Sequence, residues 1–337
     1  MAKKNNNNEQ EARKNLLRGS EEVKGEKIGG YDFDSGVDWK KLIESYKTTG
    51  FQATNLSRAM EIVRNMQKDK AFIYLGYTSN LVSSGLRDIF RFLAEKKMID
   101  VIVTTAGGIE EDIMKAIGEK FDIGKFSADD VELYEKGENR VGNLFIKNES
   151  YCKFEDFMQQ TLTKIYKKQK TWAVSEILKE IGLMLKDKDS ILYQAAKNNV
   201  PIFCPGITDG SFGFHLYMFK QKNPDFIVDV VEDFKNILLS TSHDEKKGTI
   251  CLGGGISKHH ALLACLLNGG LDYAVYLTTS HESSGSMSGA TTDEAKSWGK
   301  IKDDSDASTV IGDVTITFPL VIMAAFEELE KEGIIKE

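Results

Sequence analysis

Residues 100–121 read DVIVTTAGGIEEDIMKAIGEKF, and their pattern indicates the fold class. The short apolar run DVIV leads into small residues and two glycines. Apolar residues then recur at helical spacing in IEEDIMKAIGEKF. The first part therefore predicts a buried strand, and the second part predicts an amphipathic helix that packs on it.

The same alternation continues along the chain. Further runs that predict strands are AFIYLGYT (71–78), VPIFCPGITDG (200–210), FIVDVV (226–231), TICLGGG (249–255) and YAVYLTTS (273–280). Further helical patterns are NLVSSGLRDIFRFLAEKK (80–97), WAVSEILKEIGLMLKD (172–187) and SKHHALLACLLNGG (257–270). Alternating buried strands and amphipathic helices predict a doubly wound α/β fold, with a mostly parallel sheet and helices on both faces.

Length and composition indicate one large domain. The chain has 337 residues, of which 41% are hydrophobic and only 4 are prolines, so a sizeable core is available. Residues 1–27 are polar, charged and rich in asparagine, which predicts a flexible N-terminal arm. We expect residues 28–337 to form the catalytic domain.

Charge and motif content limit the ligands and the cellular location that we expect. No apolar run approaches the roughly 20 residues that cross a bilayer, and no signal peptide is visible, so we expect no membrane association and a cytoplasmic location. The net charge of −7 favours a cationic ligand over nucleic acid. Four cysteines without a CxxC pair, and two adjacent histidines, predict no metal site.

Three predicted strands end in sequences suited to backbone contact with a ligand: GYTSN (76–80), TTAGG (104–108) and LGGG (252–255). Glycine lets a phosphate approach the backbone, and the helix that follows offers unpaired N–H groups. Short turns between strands and helices also use glycine for purely structural reasons. Three such turns in one chain favour a nucleotide, although a GxGxxG fingerprint is absent.

Carboxylates follow several of these strand ends. Asp209 in TDGS and Asp313 in GDVTITF suit either the hydroxyls of a ribose or the cap of a helix. Glu110 and Glu111 follow TTAGGI at the start of a predicted helix. They either complement the helix dipole or bind a cationic substrate.

SWGKIK (297–302) places Lys300 beside Trp298 and a glycine. A lysine that is partly desolvated there would lose its proton more easily and act as a nucleophile toward an imine carbon. The alternative is an exposed lysine after a turn. His259 in GGGISKHH suits proton transfer near neutral pH, or simple packing on its helix.

At these residues the chain resembles the deoxyhypusine synthase family. The likeness runs from GYDFDSGVDW at 30 to TFPL at 317, through TTGFQATNLSRA, LGYTSNLVSSGLR, VTTAGGIEEDIMK, NESYCKFEDF, TDGSFG, LGGGISKHH, DYAVYLTT and SGATTDEAKSWGKI. The resemblance implies a Rossmann-like fold and a homotetramer whose active sites lie between paired subunits. It also implies NAD-dependent transfer of the aminobutyl group of spermidine to one lysine of the precursor of translation factor 5A.

The resemblance assigns roles residue by residue. It makes Lys300 the catalytic lysine, assisted by His259. It assigns NAD contacts to Ser79, Asn80, Leu81, Val82, Ser83, Thr105, Ala106, Gly107, Glu111, Asp209, Gly254, Thr279, Ser280, Ser288, Asp313 and Val314. It assigns polyamine contacts to Glu110, Glu111, His259, Gly285, Ser286, Met287, Glu294, Trp298 and Lys300.

Two departures from the family pattern concern the polyamine. Phe214 and Met287 stand where well-studied eukaryotic members have aspartates, and Ser284 replaces another acid. The chain also lacks a long insertion before AFIYLGYT, which indicates a compact member of archaeal or bacterial type. Homospermidine synthase-like transfer to a small amine is an alternative, and so is a non-catalytic regulatory subunit, against which Lys300 argues. NESYCKFEDF favours deoxyhypusine synthesis.

Overall fold

The computed structural model describes residues 2–334. Its strands, in chain order, are β1 Phe72–Tyr77, β2 Val101–Val103, β3 Phe121–Ile123, β4 Glu138–Val141, β5 Leu144–Lys147, β6 Thr171–Ala173, β7 Ile202–Phe203, β8 Ile227–Asp229, β9 Lys247–Leu252, β10 Leu271–Thr278 and β11 Ile301–Ile311.

Helices connect these strands. They are α1 Ala2–Leu16, α2 Trp39–Thr49, α3 Phe51–Lys68, α4 Asn80–Ser83, α5 Arg87–Glu95, α6 Ala106–Ala116, α7 Asp130–Glu135, α8 Asn148–Lys168, α9 Val174–Met184, α10 Ile191–Asn198, α11 Ser211–Lys222, α12 Val230–Leu238, α13 Ile256–Leu266, α14 Thr292–Ser297 and α15 Val314–Lys331. Short 3-10 turns cover Phe33–Ser35 and Glu282–Ser284.

The central sheet has six parallel strands in the order β11-β10-β9-β1-β2-β7. From β1 the chain moves outward through β2 to β7, and it then returns to the other side of β1 and continues through β9 and β10 to β11. The strand order therefore reverses between β1 and β9. In doubly wound sheets this is the point at which ligands bind.

Both faces of the sheet are buried. In β1, Ile73 and Leu75 belong to one apolar cluster, whereas Tyr74 belongs to the cluster on the opposite face. The larger cluster includes residues of α3, α5, α6, α8, α9, α10 and α15, and the smaller one includes residues of α12, α13 and α14. Alternate side chains of one strand point to opposite faces. The prediction of a doubly wound, mostly parallel α/β sheet with helices on both faces is confirmed.

Several predicted elements differ from the structure. FIVDVV forms β8, which pairs with β6 in a separate two-stranded sheet, and WAVSEIL begins as β6 before α9 starts. Strands β3, β5 and β4 form an antiparallel sheet that the sequence pattern did not indicate. The helix predicted over 80–97 is divided, because the Ser84 hydroxyl donates to the Leu81 carbonyl and accepts from the Leu86 N–H. Such local bonds compete with helix continuation.

The predicted N-terminal arm contains α1 and a segment without regular structure. Its side chains, where they are described, are exposed. The Gly29 N–H donates to the Thr48 carbonyl at 3.1 Å, and the Thr48 hydroxyl donates back to the Gly29 carbonyl at 2.8 Å. These bonds attach the chain close to the predicted boundary at residue 28. The flexibility of the arm and the division at 27/28 stay predictions.

Candidate active site

A cleft of about 710 Å³ opens at the carboxyl ends of the central strands, over the reversal between β1 and β9. We refer to this space as the cleft. Predicted site residues that line it are Ser79, Asn80, Leu81, Thr105, Gly107, Glu110, Glu111, Asp209, Gly254, Thr279, Ser280, Ser288, Asp313 and Val314. Thr78, Gly253 and Gly255 of the predicted turns also line it, and so do Ile256, Thr278 and Thr315, which sequence reasoning missed. Each of these last three adjoins a predicted turn or site residue, so the same turns contained the signal.

Three predicted cofactor contacts lie below the cleft surface. Val82, Ser83 and Ala106 are buried and do not line the cleft. Val82 and Ala106 belong to the apolar core. Within the structure they support the walls of the cleft.

The cleft offers donors without protein partners. Helices α6 and α13 begin there without a side-chain cap, so their first N–H groups remain available to an anion. The buried hydroxyl of Thr105 has no hydrogen-bond partner among the described residues. At Gly254, an added Cβ would lie 2.2 Å from the Ser288 Cα, so that turn packs too closely for a side chain. These features suit a phosphate-containing ligand.

Three of the predicted carboxylates differ in their roles. Glu110 accepts a hydrogen bond from the Phe212 N–H at 2.8 Å and so serves the first turn of α11. Asp313 caps α15 by accepting a hydrogen bond from the Thr315 N–H at 2.8 Å, so its interpretation as a helix cap is confirmed. Asp209 precedes α11 and caps no helix, because the N-cap residue is Gly210. All three still line the cleft.

Glu111 is the most perturbed carboxylate at the cleft. Helix α6 begins at Ala106, earlier than predicted, so Glu110 and Glu111 lie beyond its first turn and the dipole explanation for them is wrong. Burial, helped by the negative charge of Glu110, raises the pKa of Glu111 to about 7. A hydrogen bond from the Ser83 hydroxyl and the charge of Lys115 act in the opposite direction. Glu111 can therefore exchange a proton near neutral pH.

A second cluster contains His259, Glu294, Trp298 and Lys300, and we call it the lysine patch. Lys300 is buried, and its Nζ lies 5.3 Å from the ring centroid of Trp298. Among the described residues its Nζ has no hydrogen bond or ion pair. Burial lowers the pKa of Lys300, while nearby Glu294 acts to raise it. The prediction of a desolvated lysine beside an indole ring agrees with this geometry.

His259 lies on α13, close enough to Lys300 for the two to interact. Burial lowers the pKa of His259, and the charge of Lys300 lowers it further. Its imidazole therefore favours the neutral form, which accepts protons. Glu294 and Trp298 are exposed.

The backbone of Lys300 is separated from the cleft along the sheet. Lys300 precedes β11, and its carbonyl accepts from the N–H of Leu271, the first residue of β10. The cleft is lined by Thr278, the last residue of β10. Seven residues of strand span about 23 Å, which the four-carbon stem of a lysine does not cover. Within the described chain, none of the four lysine-patch residues lines the cleft.

The remaining predicted polyamine contacts lie outside the cleft too. Gly285 and Ser286 are exposed on the loop that follows β10, and Met287 is half-buried against the smaller apolar cluster. Phe214, in the first turn of α11, is 60% exposed. Neither Phe214 nor Met287 can replace the charge of an aspartate, but Phe214 offers an open aromatic face.

Residues 2–334 contain neither a candidate membrane span nor a candidate metal cluster. In that range no helix is long and apolar enough to span a membrane. Nor does that range bring together three histidine, cysteine or acidic side chains in a group that could hold a metal ion.

Comparisons with known proteins agree with this geometry. Residues 41–325 match the family model described as deoxyhypusine synthase. The chain is 42% identical to a deoxyhypusine synthase of Senecio vernalis, with 92% of each chain covered. It is 41% identical to homospermidine synthase 2 of Senecio vernalis, with 97% of this chain and 96% of the relative covered.

A solved structure gives the same result. The crystal structure of a protein assigned as a deoxyhypusine synthase in Entamoeba histolytica matches with a TM-score of 0.66 at 33% identity, covering 89% of this chain and 97% of that one. The archaeal or bacterial type stays a prediction. Because the family model spans most of the chain and relatives above 40% identity span nearly all of it, the chain belongs to the deoxyhypusine synthase family of transferases.

Proposed function

We propose that this chain transfers the 4-aminobutyl group of spermidine to one lysine of the translation factor 5A precursor, with NAD as cofactor, and so forms deoxyhypusine. The observation that carries the proposal is Lys300: a buried lysine whose ammonium group has no ion pair among the described residues. Burying a charge without a partner is costly, so burial lowers the pKa of Lys300 and makes the nucleophilic amine easier to form. Family membership supports the choice of reaction.

NAD fits the residues of the cleft. The open N-termini of α6 and α13 suit its pyrophosphate, and the free hydroxyl of Thr105 suits a further polar contact. Asp209 and Asp313 line the same space and suit ribose hydroxyls. When bound, NAD would accept a hydride from the aminobutyl carbon attached to the secondary amine of spermidine. It would return that hydride to the product imine.

Lys300 performs the transfer in this mechanism. Its amine adds to the carbon of the oxidised spermidine, the C–N bond to 1,3-diaminopropane breaks, and an imine remains between Lys300 and the aminobutyl group. The lysine of the acceptor protein then adds to the same carbon, and Lys300 leaves as a free amine. The neutral imidazole of His259, beside Lys300, accepts and returns the protons that these amines exchange.

Carboxylates and an aromatic ring hold the cationic substrate. Glu294 and Trp298 lie beside Lys300, while Glu110 and Glu111 lie in the cleft. Alkylammonium groups removed from water need carboxylates or aromatic faces as partners. Glu294 and Trp298 do not line the cleft of their own chain, so we infer that one chain does not present both sets to a single polyamine.

We therefore propose that the chain works as a homotetramer in which the lysine patch of one subunit closes over the cleft of its partner. Exposed apolar side chains at the patch support this arrangement: Trp298 is 65% exposed and Leu267 is 72% exposed. Apolar groups of this kind are typical of subunit contacts. Since the proposed acceptor serves translation, we place the reaction in the cytoplasm.

Homospermidine synthesis is the second candidate. The chain is nearly as similar to homospermidine synthase 2 of Senecio vernalis as to the deoxyhypusine synthase of that organism, at 41% and 42% identity. Both reactions would use the same lysine imine and differ in the amine that accepts the aminobutyl group. A non-catalytic regulatory role has less support, because the chain retains Lys300.

Product identification distinguishes these reactions. The chain is incubated with NAD and spermidine, with putrescine or a translation factor 5A precursor as acceptor, and products are identified by mass. We expect deoxyhypusine on the factor. Homospermidine without modified factor would favour the second candidate, and no product from any combination would favour the regulatory role.

A further inference from the structure

Lys115, on α6, belongs to none of the predicted sites. Its Nζ donates to the carbonyl of Val82 at 2.8 Å and of Ser83 at 2.7 Å, and it lies 3.5 Å from that of Ser84. The same ammonium lies 4.7 Å from the ring centroid of Phe121. Lys115 is thus half-buried behind the cleft, with its ammonium group held by backbone carbonyls.

The carbonyls that Lys115 binds end α4. The last carbonyls of a helix have no partner within it and need one elsewhere. In α4 the Leu81 carbonyl accepts from the Ser84 hydroxyl at 2.7 Å, and Lys115 supplies the donor for the two that follow. A positive charge at the carboxyl end of a helix also suits its dipole. Helix α4 carries Asn80 and Leu81, which line the cleft.

Helix α6 holds α4 at a second point through Glu111. This residue precedes Lys115 by four positions, so both lie on one face of α6. The Ser83 hydroxyl donates to Glu111, and the Ser83 carbonyl accepts from Lys115. Ser83 is therefore held at its side chain and its backbone by two residues of the same helix.

We propose that Lys115 is a positioning residue for the cleft: its ammonium group fixes the carbonyl end of α4, and so keeps the Ser83 hydroxyl on Glu111. The contact can be tested without reference to the reaction. Its importance for turnover rests on the proposed function, in which Glu111 binds the cationic substrate.

The charged groups around Glu111 determine what the loss of Lys115 would do. Those that act on Glu111 or on its immediate neighbours are Glu110, Lys115 and Asp112 on α6, Arg87 and Asp88 on α5, Tyr151 on α8, and Asp209 before α11. Among the charges that act directly on Glu111, Lys115 lowers its pKa and Glu110 raises it. Removing Lys115 would take away the favourable charge and loosen the hydrogen bond from Ser83, so both effects would raise the pKa of Glu111.

The test follows the carboxyl group itself. Glutamate carboxyl groups are labelled with 13C, and the infrared band of protonated Glu111 is obtained by subtracting the spectrum of Glu111→Gln. In the native chain we expect this band to disappear with rising pH, with a midpoint near the pKa of about 7. In Lys115→Met the midpoint should rise by about half a pH unit or more, and in Lys115→Arg it should stay in place. The acid limb of turnover should move in parallel.

Lys220→Met is the matched control. Lys220 also donates to two backbone carbonyls, those of Pro224 and Phe226, but it lies at the far end of α11 from the cleft. Its loss should leave the Glu111 midpoint unchanged. An unmoved midpoint in a folded Lys115→Met variant would overturn the inference, whatever its activity. A midpoint that moves in a chain that transfers no aminobutyl group would uphold the inference and contradict the proposed function instead.

Discussion

The cleft and the lysine patch differ in how they are built. The cleft is formed by turns that follow all six parallel strands of the central sheet, and its groups are backbone donors, small residues and carboxylates. The lysine patch is formed by side chains of α13, α14 and the residues just before β11, and Trp298 in it is largely exposed. One region is a concave site within a single chain, and the other combines a buried lysine with the exposed side chains of Glu294 and Trp298.

In the proposed reaction, the cleft would bind the cofactor and the lysine patch would transfer the aminobutyl group. The cleft has what a cofactor needs but no described lysine that lines it, whereas the patch has the nucleophile. If both serve one reaction, changes in the patch should spare cofactor binding, and changes in the cleft should leave the lysine intact. The predictions below test this division.

The largest effect is expected at Lys300. Arginine keeps the positive charge but provides no free amine at accessible pH, so Lys300→Arg should reduce aminobutyl transfer by roughly 10³-fold or more. NAD affinity should remain near the native value, because the cleft is unchanged. Transfer assays and NAD titration measure the two effects.

Lys302→Arg is the control for this substitution. Lys302 lies two residues away and its Nζ contacts Asp272 at 2.6 Å, a partner that arginine can also bind. Near-native transfer is expected. Borohydride trapping with spermidine and NAD should label Lys300, and label on another lysine would contradict the assignment.

The second largest effect is expected if the cleft of one subunit meets the lysine patch of its partner. Lys300→Arg and Glu111→Gln are co-expressed with different tags, and mixed assemblies are purified through both tags. In a mixed pair of subunits, one shared site has an intact cleft and an intact Lys300, and the other site has both substitutions. Activity in a randomly mixed population should therefore recover to about a quarter of the native value or more. If both residues served a site within one chain, mixing would restore nothing.

Sequence reasoning found most of the cleft because parallel strands bring their carboxyl ends together. GYTSN, TTAGG and LGGG each follow a strand of the central sheet, and each contributes residues to the cleft. Repetition of one local pattern was therefore enough to predict a shared edge. The family resemblance supplied the assignment of roles.

What the sequence did not predict depends on contacts between distant segments. The separation of Lys300 from the cleft follows from strand direction and register, which no local motif contains. Lys115 gave no signal, because a lysine in an amphipathic helix normally faces solvent. FIVDVV has the apolar pattern of a central strand but pairs with β6, and periodicity alone does not choose a partner strand.

A smaller effect is expected on stability at Glu111. Its pKa is about 7 in the folded chain against an ordinary value of 4.5, so the folded state holds the proton more tightly than the unfolded state does. Stability should therefore fall as pH rises from 4.5 to 7, by roughly 3 kcal/mol at most. Glu111→Gln removes this cost. The variant should melt a few degrees higher than native at pH 8.5, by roughly 2 °C per kcal/mol, and differ little at pH 5.

Asp112→Asn is the matched control for that prediction. The neighbouring carboxylate of Asp112 is fully buried, pairs with Arg87 at 2.7 Å and accepts the N–H of Leu192 at 2.9 Å. Its neutralisation leaves Arg87 without its closest partner, so we expect destabilisation at both pH values. If Glu111→Gln instead lowered the stability of the fold equally at pH 5 and pH 8.5, Glu111 would be a structural carboxylate like Asp112.

The smallest effect concerns which region selects the polyamine. Phe214 is 60% exposed in the first turn of α11, next to the Phe212 N–H that binds Glu110. A carboxylate there would gain an ammonium partner, so Phe214→Asp should lower the KM for spermidine by about 3- to 10-fold with little change in kcat. Tyr217→Asp is the control, since Tyr217 is similarly exposed at 58% but lies one turn further from the cleft. An unchanged KM in Phe214→Asp, or the same change in both variants, would mean that position 214 does not contact the substrate and that the lysine patch, with Glu294 and Trp298, selects the polyamine.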